Sequence, residues 1–189
     1  FDVVMHFAAQ AGVRYSLINP KKYITVNKIG FELLLDSIIK NKKPKKIIYA
    51  SSSSVYGDSK KFPSKETQKL KPNNIYAKTK ISNEQLAYKY KKKYNLNICG
   101  LRFFTVYGEW GRPDMFLFKL LKAYKCKKTF YLNNYGNHLR DFTYIEDIVK
   151  ILNSLIKLKK FTFDKVNVCG SKPVNIKKIF DNFVKEYNF

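Results

Sequence analysis

The hydrophobic positions of the chain follow two patterns: short continuous runs, and longer segments in which they recur every three or four residues. Short apolar runs predict buried strands, because a strand in a parallel sheet is covered on both faces. They occupy residues 3–7, 46–50, 96–103, 130–132 and 166–168. Longer segments with apolar residues three or four positions apart predict amphipathic helices over residues 21–42, 75–94, 145–158 and 176–187. A further helix is predicted from Pro113 to Ala123, since proline fits the first helical turn.

Strands that alternate with long helices predict βαβ units and therefore an α/β fold with an open parallel sheet. Ligands of such sheets bind beyond the carboxyl ends of the strands. Small or polar residues follow three of the predicted strands, namely Ala8 and Ala9, the serines at positions 51–54, and Thr105. We expect these three strand ends to form one shared crevice.

The composition favours a folded protein without a metal centre or a disulfide framework. Hydrophobic residues make up 45% of the 189 residues and aromatic residues 16%, which is enough for a packed core. The three cysteines are far apart and there are only two histidines, so no metal site is expected. No apolar run has membrane-spanning length and no signal peptide is visible, which favours a cytoplasmic location.

The net charge of +23 arises from 37 lysines and arginines against 14 acidic residues. Such a balance can indicate a nucleic-acid partner or a membrane surface. The alternative is a lysine-rich coding bias that decorates an ordinary surface. The lysines are scattered along the sequence, for example at Lys21, Lys42, Lys91 and Lys159. We therefore expect neither a specific nucleic-acid partner nor a membrane partner.

Tyr76 and Lys80 lie four residues apart on the predicted helix 75–94, which places both side chains on one face. A nearby ammonium stabilises a phenolate, so Tyr76 could take a proton from a sugar hydroxyl and return it. Ser52, at the end of the preceding strand, could hydrogen-bond the same hydroxyl. By itself the spacing of Tyr76 and Lys80 favours a solvated helix face, and the alternative for the serine run is a turn or helix-cap cluster.

Several stretches together resemble the extended short-chain dehydrogenases that act on nucleotide sugars. Residues 49–57 carry the serine run, and residues 76–80 carry the tyrosine and the lysine. Three further stretches are most similar to the UDP-glucuronate 4-epimerase family: residues 8–16, residues 101–108 continuing to 110–115, and residues 134–136 continuing to 140–147. The resemblance covers nearly the whole chain, and the combination of motifs is far more specific than any one of them.

The resemblance implies a partial Rossmann-like, doubly wound parallel sheet with part of a smaller C-terminal substrate-binding domain. Residues 1–108 would belong to the NAD-binding domain. Residues 109–189 would form a mixed region, with part of the UDP-sugar-binding domain and returning Rossmann elements. The implied reaction is NAD-dependent epimerisation at C4 of a UDP-sugar through a transient 4-keto sugar. Tyr76 would be the general base and acid, Lys80 its partner, and Ser52 the support of the reacting hydroxyl.

Binding residues are also implied by the resemblance. For NAD they are Ala8, Ala9, Gln10, Asn27, Ser51, Tyr76 and Lys80. For the UDP-sugar they are Ser53, Ser54, Thr105, Arg112, Tyr131 and Arg140. Arg140 would bind the diphosphate, with an ion pair to Asp141 or Asp147 as the alternative. Tyr131 would stack on uracil, with core packing as the alternative, and Arg112 could instead be a surface arginine that caps a loop.

The choice of sugar can be argued from charge. Some relatives that dehydrate or decarboxylate their substrates carry an acid beside the catalytic serine or threonine, whereas this sequence has Ser53 and Ser54 there. Hydroxyl donors favour a carboxylate on the sugar, which an acid would repel. UDP-glucuronate is therefore the expected substrate. An epimerase of UDP-glucose or UDP-galactose is the alternative; a dehydratase is disfavoured, and a nucleic-acid-binding domain leaves the motifs unexplained.

The sequence departs from the family pattern at both ends. The glycine-rich turn that holds the NAD pyrophosphate does not precede the first strand, and the chain ends before the usual substrate domain is complete. We expect a piece of a longer enzyme that turns over little or nothing alone, and a folded but inactive relative is the alternative. The helices at 21–42 and 75–94 resemble those that pair in the family's homodimer.

Overall fold

The chain folds into alternating strands and helices in a computed structural model that describes residues 1–58 and 62–189. The described residues form two compact units. The first unit contains residues 1–103 and 153–168, and the second contains residues 104–152 and 169–189. The division after residue 103 thus lies shortly before the domain boundary that was expected after residue 108.

A four-stranded parallel sheet with the strand order β1-β2-β3-β6 forms the centre of the first unit. Its strands are Val3–His6 (β1), Lys46–Ser52 (β2), Ile98–Phe103 (β3) and Lys165–Val168 (β6). Each strand pairs in parallel with its neighbour, so all four carboxyl ends lie at one edge of the sheet. This sheet confirms the predicted α/β fold.

Helical segments connect β1 to β2. Helix α1 (Val13–Ile18) is short, and Asn19 both ends it and caps the next helix by accepting a hydrogen bond from the backbone N–H of Lys22. That helix consists of α2 (Pro20–Tyr23), a π-helical turn (Ile24–Ile29) and α3 (Gly30–Lys40). The sequence predicts a single helix over residues 21–42, and it misses both α1 and the π turn.

Helix α4 (Ile75–Tyr94) connects β2 to β3 and has the bounds that the sequence predicts. Asn74 caps its N-terminus, because the side-chain oxygen accepts a hydrogen bond from the backbone N–H of Ala77 at 2.8 Å. The last turn is rich in lysine, which interacts favourably with the C-terminal end of the helix dipole. These two ends fix where the helix begins and therefore where Tyr76 and Lys80 stand on it.

The hydrophobic core of the first unit lies between the sheet and helices α3 and α4. Its buried side chains are Phe31, Leu35, Ile38, Ile47, Tyr49, Ala87, Leu96 and Ile98. Gly100 in β3 leaves room for the Tyr49 ring, because a Cβ at Gly100 would lie 2.6 Å from a ring carbon of Tyr49. Among the residues that the structure describes, no helix combines the length and the apolar character needed to cross a membrane.

The second unit carries a three-stranded sheet with the order β4-β5-β7. Its strands are Thr105–Tyr107 (β4), Leu139–Tyr144 (β5) and Pro173–Asn175 (β7). Helices α5 (Phe116–Lys125) and α7 (Ile176–Tyr187) contribute aromatic side chains that pack together, with Tyr124 against Phe183 and Tyr187. Helix α6 (Ile145–Lys157) contributes residues to both units.

Two predictions for the second unit are wrong, and the three strands of its sheet were not predicted. Pro113 does not begin α5, because Met115 still has an extended backbone and the helix starts at Phe116. Residues 130–132 do not form a strand. Phe130 instead packs its ring against Phe116 and Phe180, at centroid distances of 5.8 and 5.9 Å. The apolar run there reflects packing of an irregular segment.

Candidate active site

The serine run stands at the carboxyl end of β2. Ser51 and Ser52 are the last residues of the strand, and a short 3-10 helix, Ser53–Tyr56, follows at once. The Ser52 Oγ accepts hydrogen bonds from the Ser54 backbone N–H at 3.2 Å and from the Ser54 hydroxyl at 2.9 Å. A serine hydroxyl has two acceptor positions and one donor. The Ser52 hydroxyl therefore keeps its own proton to donate to a bound molecule.

Tyr76 and Lys80 share one face of α4, as their spacing predicts. The Lys80 Nζ lies 5.8 Å from the centroid of the Tyr76 ring. Tyr76 is half-buried, and the ring of Tyr23 packs edge-on against it at a centroid distance of 6.2 Å. The phenol is thus held between a cation and a second aromatic ring, while part of its surface stays accessible.

The Lys80 ammonium is buried and belongs to the same site as the serine run. Its side chain is 3% exposed, and the Nζ donates a hydrogen bond of 2.8 Å to the backbone oxygen of Ala50, next to Ser51 in β2. Burial lowers the pKa of Lys80 from 10.5 to about 8, because the charged form loses its hydration. An ammonium has three donors, so one bond to Ala50 leaves donors for a ligand.

Asn27 ties the loop after β1 to helix α4. The π turn places this buried side chain so that its Oδ1 accepts a hydrogen bond from the Gln10 backbone N–H at 2.7 Å. Its Nδ2 donates to the Gln10 carbonyl at 3.0 Å and to the Thr79 hydroxyl at 3.3 Å. Ala8 and Ala9 precede Gln10 directly and are exposed and half-buried. The loop expected to contact NAD is therefore fixed beside the helix that carries Tyr76 and Lys80.

A buried ion pair that the sequence-based interpretation missed lies behind Ser51. The Ser51 hydroxyl donates to Glu84 Oε1 at 2.6 Å, and Arg102 binds the same carboxylate through Nε at 2.8 Å and NH2 at 2.7 Å. The side chains of Arg102 and Glu84 are 0% and 6% exposed. The Ser51 side chain is thus committed to this network, which leaves its backbone for any contact with a cofactor.

Arg102 extends the network to the far end of the 3-10 helix. Its NH1 donates to the Tyr56 hydroxyl at 2.9 Å, and that hydroxyl donates to Asn167 Oδ1 at 2.6 Å. Burial acts to lower the pKa of Arg102, but the bonds to Glu84 outweigh it and hold the pKa above its ordinary value. The segment that carries Ser52, Ser53 and Ser54 is therefore anchored at both ends. An arginine inside an otherwise apolar strand was the signal for a buried acidic partner.

Four expected substrate residues lie in the second unit. Thr105 begins β4 and is half-buried, and Tyr131 is 84% exposed, so the alternative of core packing for Tyr131 is wrong. Arg112 forms an exposed ion pair with Asp114. Arg140 is exposed in β5 and donates from NH1 to the Leu139 carbonyl at 2.8 Å. The structure thus brings together the residues of the first unit and presents these four at the surface or edge of the second.

The described residues contain no group of three or more His, Cys, Asp or Glu side chains that could hold a metal ion. A cavity of about 300 Å³ opens beside α4, lined by residues that include Tyr49, Leu70, Glu84, Tyr88 and Asp164. Neither Tyr76 nor Lys80 lines this cavity, so it is separate from the cluster of Ser52, Tyr76 and Lys80.

Comparison with protein families gives a match to the NAD dependent epimerase/dehydratase family over residues 1–169. An uncharacterized protein of Methanocaldococcus jannaschii is 46% identical over 187 residues, which cover 98% of this chain and 56% of that protein. UDP-glucuronate 4-epimerase 4 of Arabidopsis thaliana is 50% identical over 156 residues, which cover 79% of this chain and 35% of that protein. The chain spans only about half, or less, of the length of these relatives.

Among solved structures, the UDP-glucuronic acid 4-epimerase from Bacillus cereus, in complex with UDP-glucuronic acid and NAD, has a TM-score of 0.93 and 35% identity to this chain. The similarity covers 100% of this chain and 60% of that one. This similarity confirms the resemblance that was inferred from the motifs. It also confirms the expected Rossmann-like parallel sheet. The chain therefore belongs to the NAD dependent epimerase/dehydratase family.

Proposed function

We propose that this chain carries the catalytic groups of an NAD-dependent epimerase that inverts C4 of UDP-glucuronate to give UDP-galacturonate. The observation that carries the proposal is the convergence of a phenol, a buried ammonium and a serine hydroxyl at the carboxyl edge of one parallel sheet. That edge is where ligands of α/β sheets bind. The relatives named UDP-glucuronate 4-epimerase support the choice of reaction.

In this proposal Tyr76 moves the proton at the C4 hydroxyl of the sugar. The Lys80 ammonium, 5.8 Å from the ring centroid, stabilises the phenolate that accepts the proton. The Ser52 hydroxyl donates a hydrogen bond to the same sugar oxygen and fixes its position. After the 4-keto sugar has turned its other face, Tyr76 returns the proton to the oxygen, so the enzyme ends in its starting protonation state.

The residues of the first unit fit NAD. The Lys80 ammonium retains donors for a ribose hydroxyl, Ala8 and Ala9 leave the backbone after β1 accessible, and Asn27 holds Gln10 in that loop. Bound NAD would supply the chemistry that removes a hydride from C4 and restores it. The protein's own part is to bind the cofactor, orient the sugar and move the hydroxyl proton.

The substrate residues are assigned by charge and by donor geometry. Ser53 in the anchored 3-10 helix would bind the uronate carboxylate, and Thr105 would contact the same group. The Ser54 hydroxyl, which was expected to join them, donates its proton to Ser52 and thereby holds the catalytic serine in place. Arg140 would bind the diphosphate, which suits its planar fork of donors, and the exposed Tyr131 would stack on uracil. For Arg112 the ion pair with Asp114 offers a different role, since its guanidinium is already engaged in the second unit.

We also propose that the enzyme acts as a homodimer that pairs through α3 and α4. Large apolar side chains are exposed on the π turn and on α3, with Ile24 43%, Ile29 45% and Leu33 63% exposed. Tyr88 on α4 is 47% exposed. The two helices lie side by side, because the Tyr90 hydroxyl on α4 donates to Asp36 on α3. Apolar side chains in such a stripe favour burial against another helix pair.

The reaction is tested by incubating the protein with NAD and UDP-glucuronate and separating the products by chromatography. The protein should form UDP-galacturonate from UDP-glucuronate under these conditions. Tyr76→Phe should lower kcat at least about a hundredfold, because proton transfer is lost. Tyr187→Phe, at an exposed tyrosine of α7, serves as the matched control.

The sugar is tested with a Ser53→Ala variant, because the Ser54 hydroxyl donates to Ser52 and its removal would disturb the reaction with either sugar. With UDP-glucuronate the kcat/KM of Ser53→Ala should fall about tenfold or more, because a hydrogen bond to a charged group is lost. With UDP-glucose the same variant should change little. Equal effects on both sugars would argue against a carboxylate site at this serine, and conversion of UDP-glucose alone would assign the enzyme to neutral sugars.

A further inference from the structure

Lysines that are scattered in the sequence converge on one edge of the first unit. The amino ends of the four strands are joined there: the Lys46 N–H donates to the Asp2 carbonyl, the Ile47 N–H to the Asn97 carbonyl, and the Gly100 N–H to the Asp164 carbonyl. The Asn97 side chain also donates to the Lys45 carbonyl at 3.1 Å and to the Lys159 carbonyl at 3.5 Å. Segments far apart in the chain thus meet along this edge.

The charged side chains at this amino edge are mostly lysine. Its exposed lysines come from the last turns of α3, α4 and α6 and from the loops beside them: Lys40, Lys42, Lys43, Lys45, Lys92, Lys93, Lys157, Lys159 and Lys160. The acids Asp2 and Asp164 lie there too, and each forms an ion pair, with Lys45 at 2.9 Å and with Lys91 at 2.7 Å. Most of the positive charge on the edge is therefore uncompensated by these acids.

Helix stability explains only part of this surface. Lys40, Lys93 and Lys157 lie in last helical turns, where a cation interacts favourably with the helix dipole. Lys159 and Lys160 lie outside any helix, in the loop after α6. Lys43 also lies in a loop, but its Nζ donates to the Tyr94 carbonyl at 3.3 Å, so it stabilises the end of α4 and brings loop and helix lysines together.

In contrast to the expectation drawn from the scattered lysines of the sequence, we propose that the amino edge is a docking surface for an anionic lipid bilayer. Lysine ammoniums near such a surface each add to the attraction, without the planar, two-point contact that arginine gives to bases and phosphates. The two arginines of the first unit lie away from this edge, Arg14 in α1 and the buried Arg102 in β3. Leu158, 41% exposed between Lys157 and Lys159, supplies an apolar side chain that can enter the lipid interface.

The orientation of β2 separates this surface from the candidate active site. The strand runs from Lys46 at the amino edge to Ser52 at the carboxyl edge, a length of about 20 Å at the usual rise per residue. A bilayer against the amino edge would leave the serine run and Tyr76 facing away from the lipid. Adsorption of this kind needs no spanning helix, and it does not depend on the proposed reaction.

The test is co-sedimentation of the protein with vesicles of phosphatidylcholine that contain about one third phosphatidylserine. The edge variant combines Lys43→Gln, Lys93→Gln, Lys159→Gln and Lys160→Gln. The control variant carries the same change in charge at the end of α5, with Lys122→Gln, Lys125→Gln, Lys127→Gln and Lys128→Gln; all eight lysines are exposed. Circular dichroism and a thermal unfolding curve establish that both variants fold.

The wild type should bind these vesicles, and binding should weaken as salt is raised to about 0.5 M. The edge variant should lose at least about tenfold in partition coefficient, whereas the control variant should lose much less. Equal losses in both variants would show attraction by net charge alone and overturn the proposal. So would an absence of binding, or a preference of the edge for duplex DNA over vesicles in competition.

Discussion

Lys80 shows how a single side chain connects fold and chemistry. Its ammonium is buried against the end of β2, and the loss of hydration lowers its pKa to about 8. A buried cation costs folding energy that an exposed lysine does not. The position next to Tyr76 therefore makes sense as a functional arrangement, since it places charge where a phenolate must be stabilised.

The cost of burying Lys80 should appear in the pH dependence of stability. The folded pKa of about 8 lies below the unfolded value of 10.5, so between these values the unfolded chain binds a proton that the folded chain does not. Stability should then rise with pH across this window, by about 3 kcal/mol for this group. Lys80→Met should lose this rise, as urea unfolding at a series of pH values would measure.

Lys78→Met is the control for that experiment, because Lys78 is exposed on the same helix. It should follow the wild-type curve throughout. Parallel curves for the wild type and Lys80→Met between about pH 8 and 10.5 would contradict the inferred burial of charge.

At this scale the candidate catalytic residues were predictable from the sequence, but the residues that support them were not. The spacing of Tyr76 and Lys80 shows that they share a helix face, and the site confirms the short distance between them. Glu84 and Arg102 are 18 positions apart on different elements, so only the packing of α4 on β3 could show that they meet. The same holds for Asn27, whose partners Gln10 and Thr79 come from two other segments.

At the scale of elements, the long helices were predictable and the short strands were not. Helices α4 and α7 have the predicted bounds, because twelve or more residues give several repeats of the helical period. Strands β4 and β7 contain three residues each, which is too few for alternation to be recognised. The π turn in the helix before β2 leaves no signature in the hydrophobic pattern and depends on the tertiary contacts of Asn27.

Asn74 should stabilise the start of α4. Asn74→Ala removes the side-chain acceptor of the Ala77 N–H and should lower the free energy of unfolding by about 1 kcal/mol. Asn74→Ser retains a capping oxygen and should restore most of this loss. Equal stabilities of the alanine and serine variants in urea unfolding would show that the cap contributes nothing.

At the scale of the whole molecule, the family and its parallel sheet were predictable, whereas the distribution of charge was not. The family motifs are visible in the sequence without knowledge of the fold, so the family could be inferred from residues such as Ser52, Tyr76 and Lys80. The gathering of loop and helix-end lysines at the amino edge follows from parallel topology, which brings all strand starts together. A scattered charge in the sequence is therefore a poor guide to the surface it forms.

The proposed dimer makes a prediction at this scale. Leu33→Glu places a charge in the exposed apolar stripe of α3 and should convert a dimer into a monomer, as analytical ultracentrifugation would show. Leu121→Glu, at a residue of α5 that is 44% exposed, is the control and should leave the mass unchanged. A monomeric wild type, or a Leu33→Glu variant that remains dimeric, would argue against pairing through α3 and α4.

The π turn at Ile24–Ile29 amounts to one additional residue accommodated inside a continuous helix. Removing one residue there would rotate everything before it by about 100° relative to α3. Phe31 and Leu35 could then face the sheet only if Asn27 turned away from Gln10. The helix therefore tolerates substitutions at its surface, but a deletion in this turn would break the contact between Asn27 and Gln10. A relative with one residue fewer at that point must hold the loop after β1 by some other contact.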